Sequence, residues 1–367
     1  MKIVQLANFY SPISGGLRTV VDTLGRGYVS RGHQRVLVVP GARPGRWDTA
    51  AGLVVTLPGV AVSGGYRMIA RPSAVLRVLD EIGPDSVEVS DKATLVGAAG
   101  WARTRGVRAV LLSHERLDRW VAARLPGLWR RAGPVLDRAV RRWNRSLASR
   151  FDTVVVTTAY AEAEFAPLDV PNVRRIPLGV DLSTFRPAPV ATGRTARLVY
   201  AGRLSPEKNA GAVIEAVRLL AAAGEPVRLD VYGDGAARAA LTRQAGGLPV
   251  CFHGHLADRP ALARALAAAD LAFAPSAAET FGLSVLEALA CGTPVITAAG
   301  GGAAELLGPG TGLAVPPHPA GLAAGVLEVL SWPPAQRRRT ARLRAEQFPW
   351  AATISAMLDL HTADRRG

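Results

Sequence analysis

Short apolar runs recur along the chain, and each is followed by a turn and a longer amphipathic or alanine-rich segment. In the first half such runs occupy residues 3–7, 36–39, 53–57, 86–89, 107–112 and 153–156. This alternation is typical of βα units, whose parallel strands are connected through helices that cover both faces of a sheet. The sequence therefore predicts an α/β fold built on doubly wound parallel sheets.

The alternation pauses around residues 172–187, where prolines interrupt a strand-like stretch and small polar residues follow. It resumes at residues 197–200, 227–232, 250–252, 271–274 and 295–297. A chain of 367 residues is long enough for two cores. We therefore predict two Rossmann-like domains, residues 1–180 and 181–349. Because ligands bind at the carboxyl ends of such strands, we expect the active site in the cleft that the domains enclose.

The charge balance and the cysteine content narrow the class of protein. The net charge of +15 favours a polyanionic partner, either nucleic acid or an acidic lipid surface. The only cysteines, Cys251 and Cys291, are too few for a disulfide framework and show no metal-ligand pairing with histidine. The first residues lack the apolar stretch of a signal peptide, and no apolar run approaches the roughly 20 residues of a spanning helix. We expect a cytoplasmic protein, at most peripheral to the inner face of the membrane.

The strongest local signal is the string ETFGLSVLE, from Glu279 to Glu287, which follows a strand-like segment. It predicts a turn that opens a helix, with Glu287 two helical turns beyond Glu279. Gly282 and Leu283 fall at the helix start, where free N–H groups and the helix dipole attract an anion. Taken singly, each glutamate also fits an ordinary helix surface. The whole string favours two carboxylates that flank one ligand site.

A second signal is the loop YAGRLSPEKN, residues 200–209, between a strand-like run and an alanine-rich segment. Arg203 offers a planar fork to phosphate oxygens, and Lys208 adds a movable point charge. An isolated pair of this kind would also fit a solvated basic loop. At the end of a strand, beside the glutamate string, we predict a diphosphate site.

These segments, in this order, resemble the retaining GT-B glycosyltransferases of glycosyltransferase family 4, and the resemblance covers nearly the whole chain. It implies a GT-B fold and transfer of a sugar from a nucleotide diphosphate sugar. By this resemblance Glu279 lies near the donor sugar and Glu287 at the nucleoside ribose, while Arg203 and Lys208 hold the diphosphate. A final helix, at about 350–367, would pack back on the first domain.

The first half carries companion motifs of the same family. Gly15 and Gly16, between the first strand and the first helix, match its glycine loop against the diphosphate. His114 follows an apolar strand, where the family places a histidine beside the donor sugar. His114 and Glu279 are therefore the predicted catalytic residues, although local sequence alone also fits a histidine satisfied by its neighbours. Asp91 is the candidate at the acceptor, where relatives often carry a His-Asp pair.

The segments VQLANFYSPISGGLRTVVD and SHERLDRW resemble actinobacterial mannosyltransferases that glycosylate phosphatidylinositol mannosides and use GDP-mannose. That resemblance implies mannosyl transfer to a glycolipid or glycan acceptor. His253 and Gly254 lie where the family meets the nucleobase. Two alternatives remain: a glycosyltransferase that uses a UDP-sugar donor, and a nucleotide-sugar epimerase of the GT-B fold.

The sequence contains side chains that can neutralise the charge of a diphosphate in place of a metal ion. Retaining transfer develops charge on the departing diphosphate, which Arg203, Lys208 and the glycine loop can stabilise. No paired aspartates of the kind that hold a metal under a diphosphate occur near these loops. We therefore predict catalysis without a metal or another cofactor.

The segment from Arg116 to Arg150 interleaves arginines with apolar side chains and predicts a basic amphipathic helical region. Such a region either lies on anionic lipid or packs its apolar stripe on its own domain. Nucleic-acid binding is disfavoured because zinc-finger spacing and RNA-binding aromatic signatures are absent from the sequence. A dinucleotide oxidoreductase is disfavoured because no G-x-G-x-x-G follows the first strand.

Overall fold

The computed structural model describes residues 1–11, 15–62, 65–124, 126–189 and 193–363, and the chain divides into two compact units. The first unit is Met1–Pro177 together with Ala351–Gly367, and the second is Leu178–Trp350. Three parts of the sequence-based interpretation fall outside the described residues. They are positions 12–14 beside the glycine pair, Leu125 in the basic region, and 364–367 at the end of the final helix.

The first unit is built on an eight-stranded sheet with helices in the connections. Its elements are β1 (Lys2–Leu6), α1 (Gly16–Ser30), β2 (Gln34–Gly41), β3 (Gly45–Thr49), β4 (Gly52–Pro58), β5 (Val60–Val62), β6 (Tyr66–Met68), α2 (Pro72–Ile82), β7 (Ser86–Val89), α3 (Gly97–Thr104), β8 (Arg108–Leu112), α4 (Leu117–Arg124), α5 (Pro126–Ala148), β9 (Thr153–Val156), α6 (Ala159–Glu162) and β10 (Val173–Arg175). The strand order is β10-β9-β8-β7-β1-β2-β4-β3, and β3 alone among these strands pairs antiparallel. The winding reverses between β1 and β7, so a crevice forms at their carboxyl ends.

The central strands of this sheet are buried on both faces, which explains their continuous apolar sequences. All four residues of β7 and of β9 are buried, as are Val110, Leu111 and Leu112 of β8. The core is rich in β-branched side chains, which suit a pleated surface packed on both sides. Three polar residues, Gln5, Ser86 and Glu88, are nevertheless at most 1% exposed. They need internal hydrogen-bond partners.

The second unit is a six-stranded parallel sheet with helices in the connections. Its elements are β11 (Ala196–Ala201), α7 (Ala210–Ala222), β12 (Val227–Tyr232), α8 (Arg238–Gln244), β13 (Val250–Gly254), α9 (Arg259–Ala267), β14 (Leu271–Ala274), α10 (Leu283–Ala290), β15 (Val295–Ala298), β16 (Gly312–Val315), α11 (Pro319–Ser331) and α12 (Pro334–Ala345). The strand order is β13-β12-β11-β14-β15-β16, the order of a Rossmann sheet. Its winding reverses between β11 and β14.

The last helix, α13 (Trp350–Thr362), belongs to the first unit from Ala351 onward. Its buried face includes Ile354 and His361. A Cβ at Gly27 would lie only 2.4 Å from the Ile354 Cδ1 atom, so α1 needs a glycine there to receive α13. The His361 Nδ1 atom lies 2.8 Å from the Ser86 hydroxyl, and its Nε2 atom lies 3.2 Å from the Glu88 carboxylate. This helix therefore supplies one partner for the polar residues inside the sheet.

The basic region does not form one continuous helix. It contains α4 and α5, and α5 is broken at Ala132, two residues before Pro134. A proline inside a helix removes one hydrogen-bond donor, and its ring crowds the preceding turn, which favours a break on this side of Pro134. Across the described residues, no helix is both long enough and apolar enough to cross a membrane.

Candidate functional site

The two loops that carry the strongest sequence signals lie at the reversal of winding in the second unit. The loop at 202–209 follows β11, and the loop at 275–282 follows β14, which is its direct neighbour in the sheet. The Ser276 hydroxyl donates a 2.7 Å hydrogen bond to the backbone oxygen of Glu207 and joins the two loops. Ligands of doubly wound sheets bind at this position. The structure therefore brings both motifs to the expected end of the sheet.

Lys208 and Glu279 form an ion pair between these loops. Their side chains are about one quarter exposed, 25% and 28%, so the pair is accessible from solvent. The backbone oxygen of Glu279 accepts a 2.8 Å bond from the Gly302 N–H, which fixes the turn that carries the carboxylate. An ammonium and a carboxylate held at one crevice can bind an anionic group and a sugar hydroxyl, respectively.

The helix start at Gly282 and Leu283 is confirmed, but the predicted spacing of the two glutamates along one helix is wrong. Helix α10 begins at Leu283, with Gly282 as its N-cap, so Glu279 lies in the preceding turn and is not two helical turns before Glu287 within one helix. The reason is the backbone of Gly282, whose φ of 103° is left-handed and interrupts helical geometry. An added Cβ would also lie 2.9 Å from the Ala303 Cβ. The turn thus separates the two glutamates.

Glu287 lies on α10 and is only 7% exposed. Its Oε1 atom lies 2.9 Å from the Arg259 guanidinium, which stacks over the Phe185 ring at 4.7 Å. Burial raises the pKa of Glu287, and the charge of Arg259 opposes that rise. The two glutamates thus have different cationic partners, Lys208 for one and Arg259 for the other. The ribose contact of Glu287 stays a prediction.

Arg203 lies in a loop that is held against the end of β12. Its backbone oxygen accepts a 3.0 Å bond from the Tyr200 hydroxyl. The neighbouring Gly202 N–H donates to the Tyr232 oxygen at 2.9 Å. An added Cβ at Gly233 would lie 1.8 Å from the Gly202 oxygen, so this close approach of two strand ends requires glycine. The contact fixes the backbone from which Arg203 projects.

The two candidate base contacts lie on β13, at the edge of the sheet. His253 is exposed, stacks on the Tyr232 ring with centroids 4.5 Å apart, and places its Nε2 atom 2.8 Å from Asp230 Oδ1. Gly254 is buried with a φ of 78° and bonds to the Gly233 N–H through its oxygen. Their contact with a nucleobase stays a prediction.

In the first unit, the ends of β1 and β7 meet through Asn8 and Asp91. The Asn8 side chain is fully buried, donates to Asp91 at 2.9 Å, and accepts from the Ile69 N–H at 2.9 Å. Asp91 also accepts bonds from the backbone N–H groups of Ala93, Thr94 and Leu95. These bonds give Asp91 a role in holding the crevice wall. Helix α1 begins at Gly16 with Gly15 as its N-cap, so this glycine pair lies at a helix start.

His114 follows β8 at the same end of this sheet. Although part of its surface reaches solvent, the ring is surrounded by protein, and this burial lowers its pKa to about 4. The charge of Glu88 raises the pKa and that of Lys92 lowers it, with smaller effects than burial. The imidazole is therefore neutral near pH 7. A neutral ring can hydrogen-bond a sugar hydroxyl without adding charge.

Two ion pairs near His114 were not predicted from the sequence. The Lys92 ammonium bonds to the buried Glu164 carboxylate at 2.6 Å and to the Glu115 oxygen at 2.7 Å. Arg116 bonds to Asp118 and stacks over the Tyr160 ring at 4.6 Å. Tyr160 and Glu164 come from distant sequence positions, in α6 and the turn after it, whereas Asp118 lies two residues beyond Arg116. In the sequence, only the SHERLD string indicated that this cluster has a functional role.

Comparison with known proteins decides the family. A "Glycosyl transferase 4-like domain" matches residues 15–179, and "Glycosyl transferases group 1" matches residues 195–331. Over 369 residues the chain is 44% identical to the GDP-mannose-dependent alpha-(1-6)-phosphatidylinositol dimannoside mannosyltransferase of Mycobacterium tuberculosis (strain ATCC 25177 / H37Ra), covering 98% of this chain and 95% of that protein. The chain belongs to the family 4 glycosyltransferases. This glycosyltransferase is also 30% identical to the glycogen synthase of Mycobacterium tuberculosis (strain CDC 1551 / Oshkosh), with 100% and 96% coverage.

Solved structures agree with this assignment at the level of the fold. Sucrose-phosphate synthase from Thermosynechococcus elongatus matches the glycosyltransferase with a TM-score of 0.80 at 22% identity, over 98% of each chain. Anabaena HepE in complex with UDP and glucose matches with a TM-score of 0.73 at 22% identity, also over 98% of each chain. These matches confirm the predicted GT-B fold, and the family models together with the 44% identical relative confirm the predicted enzyme class.

Proposed function

We propose that this glycosyltransferase transfers mannose from GDP-mannose to a phosphatidylinositol mannoside or a related glycolipid, with retention of configuration. The observation that carries the proposal is 44% identity, over 98% of the chain, to a mannosyltransferase whose name states that donor and a phosphatidylinositol dimannoside acceptor. The pairing of Lys208 with Glu279 at the β11/β14 crevice supports a donor site in the second unit.

In the proposed reaction, Arg203 and Lys208 stabilise the negative charge that develops on the departing diphosphate. Glu279 then exchanges its partner, because the Lys208 ammonium turns toward phosphate and the carboxylate accepts a hydroxyl of the sugar. The neutral ring of His114 hydrogen-bonds the donor sugar. Because two side-chain cations supply the charge compensation, we propose that transfer needs neither a divalent metal nor another cofactor.

The donor assignment predicts a ranking of ligands. GDP-mannose is expected to raise the melting temperature of the full chain more than UDP-glucose or UDP-N-acetylglucosamine at equal concentration, because a ligand that binds only the folded state stabilises it by mass action. The measurement is a thermal-shift series with free GDP and UDP as controls for the base. Equal shifts for all donors, or larger shifts for the UDP-sugars, would overturn the choice of GDP-mannose.

We propose further that the basic region contacts an anionic membrane surface, where a lipid acceptor is located. Val140 and Leu147 are buried in the first unit, so part of the apolar stripe packs on its own domain. Large apolar side chains elsewhere in α4 and α5 are exposed: Trp120 at 41%, Leu128 at 47%, Val135 at 62% and Trp143 at 36%. Exposed apolar groups interleaved with arginine suit the interface of an anionic bilayer. We do not propose a nucleic-acid partner for this region.

Charge reversal tests the membrane contact. Each arginine near an anionic surface contributes about 1 kcal/mol of attraction, so reversing four is expected to weaken vesicle binding by at least about 100-fold. The variants are Arg130→Glu, Arg131→Glu, Arg141→Glu and Arg142→Glu combined, measured by co-sedimentation with phosphatidylglycerol vesicles and neutral vesicles. The control with the same net charge reverses exposed arginines of the second unit, Arg218, Arg243, Arg264 and Arg339. Equal losses in both quadruple variants would argue against a localised contact.

A further inference from the structure

We infer that the glycosyltransferase carries a binding site for a zinc-like transition-metal ion on the edge of the second unit, formed by Asp230, Cys251 and His253. Single ligand atoms of these three residues all lie within 4.8 Å of one another. Cys251 and His253 are only two residues apart, so the expectation that neither cysteine pairs with a histidine is wrong, and the third residue, Asp230, is distant along the chain. Parallel pairing of β12 with β13 places Asp230 directly opposite Cys251.

A shift in strand register occurs beside the histidine of this cluster. Val231 pairs with Phe252, whereas Tyr232 pairs with Gly254, so His253 is the additional residue of β13 at this point. Bulges of this kind are frequent at sheet edges and redirect a side chain. The Tyr232 ring lies 4.5 Å from the imidazole at an interplanar angle of 13°, and this stacking limits how the ring turns. His253 therefore presents its Nε2 atom to Asp230.

The three ligand types suit a metal ion of intermediate softness, such as Zn²⁺. A thiolate, an imidazole and a carboxylate are the protein ligands that Zn²⁺ takes, and three of them with a water molecule complete four-coordination. Around one tetrahedral Zn²⁺, ligand atoms are about 3.3–3.8 Å apart, given bond lengths of about 2.0–2.3 Å. The observed group needs only side-chain rotation to reach that geometry. The ion would enter between Asp230 Oδ1 and His253 Nε2, now 2.8 Å apart.

The surroundings leave the site accessible. Cys251 is exposed and is not in a disulfide, and the His253 side chain is 36% exposed. Asp230 also bonds to Arg228 at 3.0 Å through its second oxygen, which leaves Oδ1 for the metal. Binding releases the thiol proton of Cys251 to solvent and places the remaining proton of the imidazole on Nδ1. A net charge of +15 works against unspecific adsorption of cations on this chain. The inference does not rest on the proposed function, with which it shares one residue, the candidate base contact His253.

The test uses the full chain, freed of metal and kept under reductant, with Co²⁺ and Zn²⁺ as probes. We expect one Co²⁺ per chain with a thiolate-to-cobalt charge-transfer band in the near ultraviolet, which Zn²⁺ bleaches. Cys251→Ser is expected to remove the band. His253→Ala and Asp230→Asn are expected to weaken Zn²⁺ binding, in competition with a chromophoric chelator, by at least about tenfold, because even indirect partners of a metal contribute that much.

Further variants distinguish metal binding at these three residues from incidental binding elsewhere on the chain. Cys291→Ser changes the other cysteine, which is buried, and is expected to keep the band. Arg228→Ala removes a positive charge beside Asp230 that repels the ion and is expected to tighten Zn²⁺ binding. Arg243→Ala makes the same charge change elsewhere on this unit and is expected to leave Zn²⁺ binding unchanged. Melting curves without metal verify that each variant is folded. No cobalt–thiolate band at one equivalent, or a band that persists in Cys251→Ser, would overturn the inference.

Discussion

Replacing Lys208 with alanine is expected to lower kcat/KM for sugar transfer by about 10²–10³-fold, the usual cost of losing one positioned group that stabilises charge in the transition state. The reason is that Lys208 is one of the two side chains proposed to bind the diphosphate, and charge on the departing diphosphate develops only during transfer. Loss of the ammonium also leaves Glu279 without its ion-pair partner, so carboxylate and phosphate would repel each other. Steady-state kinetics with the full chain measure the effect.

A matched set of variants distinguishes catalysis from folding. Arg243→Ala removes an exposed positive charge from the same unit and is expected to keep normal kinetics. Lys208→Ala combined with Glu279→Gln is expected to lose less than the product of the single effects, because the two side chains act on each other. A Lys208→Ala enzyme with unchanged kcat/KM would remove this lysine from the donor site.

Replacing His361 with alanine is expected to lower the free energy of unfolding of the first unit by roughly 3–5 kcal/mol, the range for leaving a buried charged group without one of its partners. The side chains of His361 and Glu88 are both 0% exposed, and Tyr28 and Gln5 bond to the same carboxylate at 2.7 and 2.8 Å. Without the imidazole, a charged group stays buried with fewer donors. Chemical unfolding followed by tryptophan fluorescence reports mainly on this unit.

The pH dependence of folding stability is an independent test of the same hydrogen-bond network around Glu88. Burial acts to raise the pKa of Glu88, but bonds from His361, Tyr28 and Gln5 lower it below the usual value. Stability from this carboxylate is therefore fully present above the unfolded-state pKa, about 4.3, and is lost as the pH falls through the lower folded value.

Two variants complete the test of this anchor. Glu88→Gln with His361→Ala is expected to show coupling, since the single losses share one contact. His255→Ala changes an exposed histidine and is expected to alter stability by less than about 0.5 kcal/mol. If His361→Ala unfolds like the unchanged chain, the final helix is not anchored through this residue.

The fold followed from sequence because local patterns determine it: buried parallel strands require continuous apolar runs, and βα units repeat them. The meeting of the loops that carry Lys208 and Glu279 was predictable for a related reason, since strand-end loops converge wherever the sheet reverses its winding. Contacts between residues that are distant in the sequence were not predictable. Arg259 gave no sign of pairing with Glu287. The close approach of Ala303 to Gly282, whose left-handed backbone separates Glu279 from the helix, is likewise visible only in three dimensions.

The most direct test of the proposed activity is mass spectrometry of the acceptor. The full chain is incubated with GDP-mannose and a phosphatidylinositol mannoside extract, with and without excess EDTA, and with UDP-sugars in parallel. The account predicts acceptor molecules heavier by one hexose, released GDP in equal amount, the same yield in EDTA, and loss of the product with Lys208→Ala. Hexose addition only from UDP-sugars, isomerised donor without a transfer product, or intact GDP-mannose in every sample would contradict it.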